Sequence, residues 1–312
     1  MPNLPMPTLP DAVVQGFERL SEETSRALAQ QIQIAPVTTD LQAEQIATAY
    51  VQAGPVSDRP PLLLIPGFDS SLLEYRRLLP RLAQEQETWT IDLLGFGFTD
   101  RPPTLRYNPA NLQTHLYATW QQLIQRPVIL VGASMGGAAT IEFALAYPEA
   151  VAGLVLLDSA GVKNGPTIGK FLFPPLDRWA VEFLRRPDVR HNISRSAYHT
   201  PDTYATPDAD TCMMLHLLMP HWDTALKSFT KSGGYPSVKQ QLKNLKAPTL
   251  VVWGKQDKIL GTQDATVMAQ EIPTADLVWI DSSGHVPHLE QCEAVAQAIL
   301  HFVQGITSAP AQ

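Results

Sequence analysis

The sequence predicts an α/β protein with a mostly parallel central sheet, helices on both faces of that sheet and a helical insertion. Short apolar segments of strand length alternate with helical segments, which is typical of parallel sheets covered on both sides. The alternation stops between residues 161 and 237, where no strand-like run occurs. We therefore predict an N-terminal helical extension at 1–31, an α/β core at 32–160 and 238–312, and a helical cap or lid at 161–237.

Eight segments of the core have the length and composition of strands. The four residues Leu62–Ile65 are all apolar and end at Pro66-Gly67, as expected for a central strand that is buried on both faces. The predicted strands are 32–38, 46–52, 62–65, 88–91, 128–131, 151–157, 249–253 and 277–280.

Outside the insertion, helices are predicted at 11–31 in the N-terminal extension and at 110–124, 138–147 and 290–304 in the core. The first has an apolar stripe but few basic residues. Helices that bind membrane surfaces usually carry more positive charge, so packing against the domain or a dimer contact is favoured for this segment.

Composition limits the classes of partner. The formal net charge is 23 − 30 = −7, which argues against nucleic acid as a ligand. The two cysteines, Cys212 and Cys292, cannot form a disulfide framework, which favours a reducing compartment. There is no metal-spaced Cys/His cluster, no apolar run of membrane-spanning length and no secretory signal. We expect a cytoplasmic protein without metal or cofactor; peripheral membrane attachment and the oligomeric state stay open.

The most informative motif is Gly132-Ala-Ser134-Met-Gly136, a G-x-S-x-G pattern between an apolar strand and a helix. A serine at such a sharp turn is pushed out at the end of the sheet, where it can act as a nucleophile. The alternative is an ordinary turn of small residues with a capping serine. The strand before the motif and the helix after it favour the nucleophile.

A serine nucleophile needs a base. His285 follows the last predicted strand through Asp281-Ser-Ser-Gly284 and precedes the last helix, so it is expected at the edge of the sheet where Ser134 emerges. His288 is the competing candidate, and we expect it to pack against or cap that helix.

The acid that orients the histidine is predicted to follow another strand. Asp257 follows the strand that ends at Trp253, and the chain order Ser134, Asp257, His285 is the one expected for this architecture. Asp158 also ends a strand and is the first alternative. Asp92 is the second, although the glycine-rich turn after it suggests a structural carboxylate.

The loop Pro66-Gly67-Phe68-Asp69-Ser70-Ser71 follows the predicted strand at 62–65. Backbone amides at such a position can stabilise the oxyanion formed when an acyl group is attacked. We predict that the amides of Phe68 and Met135 form the oxyanion hole.

These motifs resemble the α/β-hydrolase superfamily over nearly the whole chain from residue 32. The resemblance is carried by PGFDSS, DLLGFGFTDRP, GASMGG, WGKQD and SGHVPHLEQ. It implies the α/β-hydrolase fold and the Ser134–Asp257–His285 triad. Three positions depart from the usual pattern: Pro66 stands where histidine is usual, Ala133 where histidine is frequent, and Gln291-Cys292 follow Glu290 where proline is usual. The serine speaks against haloalkane dehalogenases and epoxide hydrolases, which have aspartate there.

The cap sequence at 216–235, together with PGFDSS, is similar to cyanobacterial and plant-plastid α/β hydrolases. Some of these, such as chlorophyll dephytylase and pheophytinase, cleave the phytyl ester of pigments. The resemblance implies a cofactor-free serine hydrolase of the esterase or lipase type that forms an acyl-enzyme. A perhydrolase or cofactor-free haloperoxidase, and a catalytically silent binding protein, are the alternatives.

The large apolar residues of the cap are expected mainly to form its own core, with some covering the serine in a pocket for a small hydrophobic ester. They are Phe171, Leu172, Phe173, Leu176, Trp179, Phe183, Met213, Met214, Leu217, Leu218, Met219 and Trp222.

Overall fold

The computed structural model of the protein describes residues 8–165 and 176–308. Eight strands form one sheet. They are β1 (Gln33–Val37), β2 (Ile46–Ala53), β3 (Leu62–Ile65), β4 (Thr88–Ile91), β5 (Val128–Ala133), β6 (Val151–Leu157), β7 (Thr249–Gly254) and β8 (Ala275–Ile280).

The order of strands in the sheet is β1-β2-β4-β3-β5-β6-β7-β8. Pairing is antiparallel between β1 and β2 and between β2 and β4, and parallel everywhere else. Every residue of β3, β5 and β7 is buried, as the continuous apolar runs require when helices cover both faces. The predicted α/β fold with a mostly parallel sheet is confirmed. The carboxyl ends of the six parallel strands lie along one edge.

The helices in chain order are α1 (Asp11–Phe17), α2 (Glu23–Gln30), α3 (Leu79–Leu82), α4 (Pro109–Thr119), α5 (Met135–Ala146), α6 (Leu176–Arg185), α7 (Pro187–Ala197), α8 (Pro201–Tyr204), α9 (Pro207–Leu215), α10 (Trp222–Ser232), α11 (Gln263–Glu271), α12 (Pro287–Glu290) and α13 (Cys292–Ser308). Throughout the ranges 8–165 and 176–308, each helix is too short or too polar to cross a membrane.

The predicted helix at 11–31 is wrong in one respect: the structure has two helices, α1 and α2, with a break between them. The carboxylate of Asp208, at the start of α9, accepts hydrogen bonds from the amides of Ser21 at 2.5 Å and Glu22 at 2.9 Å. This distant carboxylate satisfies amides at the start of α2 that a continuous helix would have used internally. Val13 and Leu28 are buried in the domain's core.

Other helix boundaries differ by a few residues. The predicted helix at 138–147 begins at Met135, directly after Ser134. The predicted helix at 110–124 changes to a π-helical turn over Trp120–Ile124. The predicted helix at 290–304 starts at the last residue of the short α12, is interrupted at Gln291 and continues in α13, which extends to Ser308.

The described part of the predicted cap, residues 161–165 and 176–237, contains the five α-helices α6–α10 and no strand, and these residues are called the cap below. Val181, Leu217, Trp222 and Leu226 form a small core of its own, as expected. Four of the apolar residues named from the sequence are instead exposed: Leu176, Trp179 and Phe183 on α6, and Leu218 after α9. Phe171, Leu172 and Phe173 lie outside the described residues.

Candidate active site

Ser134 occupies a sharp turn between β5 and α5. Its backbone has φ 51° and ψ −117°, a region that residues other than glycine rarely adopt. The turn is held from both sides: the amide of Ser134 donates to the carbonyl of Leu157 at 3.0 Å, and its carbonyl accepts from the amides of Gly137 and Ala160. The strained backbone therefore fixes the position of the hydroxyl.

Close backbone approaches explain the glycines around Ser134. A Cβ atom on Gly136 would lie 2.1 Å from the carbonyl oxygen of Ile65, and one on Gly132 would lie 2.5 Å from that of Gly136. A Cβ atom on Gly137 would lie 2.0 Å from the hydroxyl of Ser159. Only glycine allows β3, β5 and α5 to come this close.

The structure brings the three predicted side chains together. His285 Nε2 lies 3.0 Å from Ser134 Oγ, and His285 Nδ1 lies 3.0 Å from Asp257 Oδ2. The loop that carries the imidazole is tied to the cap, because the amide of His285 donates to the carbonyl of Ala197 at 2.7 Å. Residues that are 28 and 151 positions apart from His285 thus form one hydrogen-bonded chain.

Asp257 is held as a carboxylate. Its Oδ1 accepts from the amides of Ile259 at 2.7 Å and Leu260 at 3.1 Å, while Oδ2 faces His285. Burial would raise the pKa of Asp257, but the imidazole of His285 and the two amides hold it below its ordinary value. An ionised carboxylate at this place can fix the imidazole's orientation.

Asp158, the first alternative acid, lies beside Asp257 at the end of β6. Its φ of 39° is positive, and its carboxyl accepts from the amide of Gly254 at 3.1 Å. Oxygen atoms of Asp158 and Asp257 and a ring nitrogen of His285 all lie within 4.8 Å of one another. Burial and the negative charge of Asp257 raise the pKa of Asp158 well above its usual value. Its surroundings therefore favour the protonated form of Asp158 and the ionised form of Asp257.

This cluster is the one grouping of side chains in the described ranges with spacing suited to a metal ion. Both ring nitrogens of His285 already face Ser134 and Asp257, and the raised pKa of Asp158 disfavours the ionised form that a cation would bind. The donor set fits proton transfer better than cation binding.

The loop Pro66–Ser71, called the β3 loop from here on, lies against the serine. A Cβ atom on Gly67 would be 3.5 Å from Ser134 Cβ. The amides of Phe68 and Met135 have no acceptor among the residues that the structure describes, and Met135 is the first residue of α5, where helical amides are free. Both amides are therefore available to a ligand.

His288, the alternative base, is buried away from Ser134. Its Nε2 lies 3.1 Å from Glu74 Oε1, and its ring packs on Tyr75 at 5.4 Å. Glu74 Oε2 in turn accepts from the amide of Gly67 at 2.9 Å. Burial would raise the pKa of Glu74, but His288 and the Gly67 amide hold it below its usual value. A carboxylate thus anchors the β3 loop, which Pro66 cannot do with its side chain.

Asp92, the second alternative acid, holds two turns together. Its Oδ1 accepts from the amide of Leu72 at 2.6 Å and its Oδ2 from the amide of Phe98 at 2.7 Å. Gly97 must be glycine, because a Cβ atom there would lie 1.9 Å from Asp92 Cγ. Burial raises the pKa of Asp92 to about 7. These contacts agree with a structural carboxylate.

A cavity of about 200 Å³ reaches Ser134 and His285. Its wall mixes apolar and polar side chains, so it is less apolar than the cap's composition suggests. Of the apolar cap residues named from sequence that the structure describes, Met213 lines it. The other lining residues that the cap supplies are Arg190, Ile193, Ser194, Ala197, Tyr198, Ala209 and Cys212.

Comparison with known proteins places this fold in a family. A model of the alpha/beta hydrolase family matches residues 62–298. The chain belongs to the alpha/beta hydrolase family. This α/β hydrolase is 32% identical over 300 residues to the alpha/beta hydrolase domain-containing protein VTE7 of Arabidopsis thaliana, covering 95% of this chain and 91% of that protein. The predicted resemblance to plant α/β hydrolases is confirmed.

Lipases and esterases are among the other relatives of this α/β hydrolase. It is 26% identical to Lipase 1 of Psychrobacter immobilis, over 79% of this chain and 77% of that protein. A thermophilic esterase from Thermogutta terrifontis superposes with a TM-score of 0.74 at 26% identity, covering 88% of this chain and 99% of that one. These likenesses indicate a hydrolase.

Two features of the site were not foreseen from the sequence. Glu74 was not singled out, although it lies in the 3₁₀ turn Leu72–Tyr75 directly after the β3 loop. The adjacency of Asp158 and Asp257 was also missed, although both were named. The signal was present, because both follow strands predicted to lie in one parallel sheet.

Proposed function

We propose that this α/β hydrolase is a serine hydrolase that cleaves carboxylic esters of hydrophobic substrates through an acyl-enzyme. The observation that carries the proposal is the hydrogen-bonded chain from Ser134 through His285 to Asp257, with two contacts of 3.0 Å. A hydroxyl within reach of an imidazole, which a carboxylate orients in turn, is the arrangement that activates serine for acyl transfer.

In the first half of the reaction, Ser134 Oγ attacks the ester carbonyl carbon while its proton passes to His285 Nε2. The carbonyl π bond opens, and its electrons form the oxyanion of a tetrahedral intermediate. When the oxyanion re-forms the carbonyl, the bond to the alcohol oxygen breaks and that oxygen takes the proton from His285. Asp257 stabilises the imidazolium in between.

In the second half, His285 takes a proton from water as the water oxygen attacks the acyl-enzyme. The new tetrahedral intermediate expels Ser134 Oγ, which recovers the proton from His285. The products are a carboxylic acid and an alcohol, and the enzyme returns to its starting state without any redox change.

The amides of Phe68 and Met135 are proposed as the donors to the oxyanion. They belong to two elements on either side of Ser134, and neither is used within the described structure. A donor of this kind contributes about 3 kcal/mol to the transition state.

The proposed substrates are hydrophobic esters, of which lipid esters and phytyl-pigment esters are the classes to test. The apolar residues Phe68, Ile193, Met213, Val286 and Leu289 line the cavity beside the serine. Its volume of about 200 Å³ is below the range of roughly 300–1,000 Å³ usual for ligand pockets, so a long chain would extend beyond it.

The substrate proposal is checked with p-nitrophenyl esters of increasing acyl length and a panel of lipid and pigment esters. We expect kcat/KM to rise from acetate towards octanoate, because the added methylenes bury apolar surface. Best activity on acetate with none on octanoate would reject a hydrophobic preference.

The role of the serine is checked with Ser134→Ala, for which kcat should fall by about 10³-fold or more while the melting temperature stays close to that of the wild type. Ser196→Ala is the matched control, because its exposed hydroxyl on α7 only donates to the carbonyl of Ile193. Full ester hydrolysis by the Ser134 variant would refute the proposal. Inactivity of the wild type on every ester would instead favour a binding protein.

A further inference from the structure

Asp69 joins the β3 loop to the cap. It follows Phe68, whose amide is a proposed oxyanion donor, and its backbone φ of 50° lies in the left-handed region that favours glycine. The side chain is buried. Its Oδ1 accepts from the indole N–H of Trp222 at 2.8 Å, and its Oδ2 accepts from Nη2 of Arg190.

Three helices of the cap meet at this carboxylate. Arg190 lies on α7, and its Nε donates to the carbonyl of Leu184 on α6 at 2.7 Å. Trp222 is the first residue of α10. The guanidinium groups of Arg185 and Arg190 lie 4.8 and 5.4 Å from the centre of the Trp222 ring. The contact between Asp69 and Arg190 is therefore part of a packed group of side chains that joins these helices, and not an isolated surface ion pair.

The ion pair is charged as well as buried. Burial would raise the pKa of Asp69, but the nearby His216, the guanidinium of Arg190 and the indole of Trp222 hold it below its usual value. Arg190 is itself buried. Removing one member of such a pair leaves an uncompensated buried charge, which strongly destabilises the local structure.

The β3 loop is thus held from two directions. On one side of Phe68, the amide of Gly67 donates to Glu74 of the core at 2.9 Å. On the other side, Asp69 is held by the cap. The ring of Phe68 also packs on Phe229 of α10, with the ring centres 6.0 Å apart. The peptide between the two anchors carries the Phe68 amide.

We propose that Asp69 and Arg190 are positioning residues through which the cap sets the direction of the Phe68 amide. This inference rests on the proposed ester hydrolysis. With the pair intact, the amide is aimed at the oxyanion before the substrate arrives, which is how such donors act without a cost of reorganisation. Without it, the loop loses its hydrogen bonds to the cap while Ser134, His285 and Asp257 keep their contacts.

Positioning and pocket shaping predict different kinetics. Every ester passes through the same oxyanion, so a misdirected amide lowers kcat by the same factor for short and long acyl chains and leaves KM nearly unchanged. A change in the shape of the pocket would instead alter KM by a factor that depends on chain length.

The experiment compares Asp69→Asn, Arg190→Gln and the double variant on p-nitrophenyl acetate and octanoate. We expect each single variant to lower kcat by about 10- to 100-fold on both esters, with KM within about twofold, since losing a donor outright costs about 10²–10³. The double variant should be no worse than the worse single variant, because both act through one contact.

Two further variants serve as checks. Arg195 lies on α7 like Arg190, and it forms a surface ion pair with Asp202 of α8 at 2.8 Å. Arg195→Gln breaks this pair and should leave kcat unchanged. Arg190→Lys keeps the positive charge, so it should stay folded even if the other variants melt below the assay temperature. We expect it to show a smaller loss of kcat than Arg190→Gln. Unchanged kcat, or a loss confined to KM that differs between the two esters, overturns the inference. Failure of the wild type on both esters would overturn the proposed function itself.

Discussion

The ends of β6 and β7 are neighbours in the sheet, each is followed by an aspartate, and the pKa values of the two aspartates are shifted in opposite directions. Asp257 accepts two amide hydrogen bonds on one oxygen and faces an imidazole with the other, and its pKa is lowered. Asp158 has the amide of Gly254 and faces the negative charge of Asp257, and its pKa is raised. Position along a strand therefore does not decide which carboxyl orients a histidine. The hydrogen-bond donors around the carboxyl decide it.

The comparison predicts the largest effect for Asp257→Asn. The amide cannot hold the imidazole in the required tautomer or stabilise the imidazolium, so kcat should fall by about 10⁴-fold. Steady-state kinetics on one good ester substrate measures it. A loss below tenfold would mean that Asp158 takes over the role, and the double variant Asp158→Asn, Asp257→Asn would then show the full loss.

Asp92, which follows β4, is a third carboxyl at the end of a strand. Its two oxygens each accept from a backbone amide, of Leu72 and of Phe98. Asp92→Asn would turn an N–H₂ group towards one of these amides, so we expect a loss of about 2–3 kcal/mol in the free energy of unfolding. Denaturant unfolding measures it, and a change below about 0.5 kcal/mol would contradict the structural role.

The raised pKa of Asp158 predicts a dependence of stability on pH. The unfolded chain ionises near the ordinary aspartate value of 3.8, whereas the folded protein holds the proton until a higher pH. The protonated Asp158 therefore contributes its full stabilisation of the folded protein below pH 3.8. This contribution is lost as pH rises towards the folded pKa, by about 1.4 kcal/mol per pH unit. Asp158→Asn, which has no such proton, should therefore gain stability relative to the wild type between pH 5 and 7.

Denaturant unfolding of both proteins across that range checks the prediction. A constant difference between the two would show that Asp158 is ionised in the folded protein.

The smallest effect is expected for the activity of Asp158→Asn. The asparagine oxygen can still accept from the amide of Gly254, and the side chain is neutral like the protonated acid. We expect kcat within about threefold of the wild type at neutral pH, measured with the same ester as for Asp257→Asn. A loss approaching that of Asp257→Asn would reverse the roles of the two aspartates.

The sequence predicts the sheet well because strand signals are local. The apolar run Leu62–Ile65 and the alternation of strands and helices can be recognised from residues that are neighbours in the sequence. The break between α1 and α2 could not be read in this way, because it depends on Asp208, which is 187 residues from Ser21.

The same limit applies to the site. Ser134, Asp257 and His285 are recognisable because each follows a strand in a family motif. Glu74 and Arg190, which hold the β3 loop, follow no strand and have no motif. Arg190 is 121 residues from Asp69, and only the packing of the cap on the core makes them partners.

The proposed roles of Ser134 as nucleophile and His285 as its base can be tested by chemical labelling. The wild type is treated with a fluorophosphonate, and the digested protein is then analysed by mass spectrometry. We expect one phosphonyl adduct on the peptide that contains Ser134, with a labelling rate reduced by about 10³-fold or more in His285→Ala. An adduct on another residue, or equally fast labelling without the imidazole, would contradict these roles.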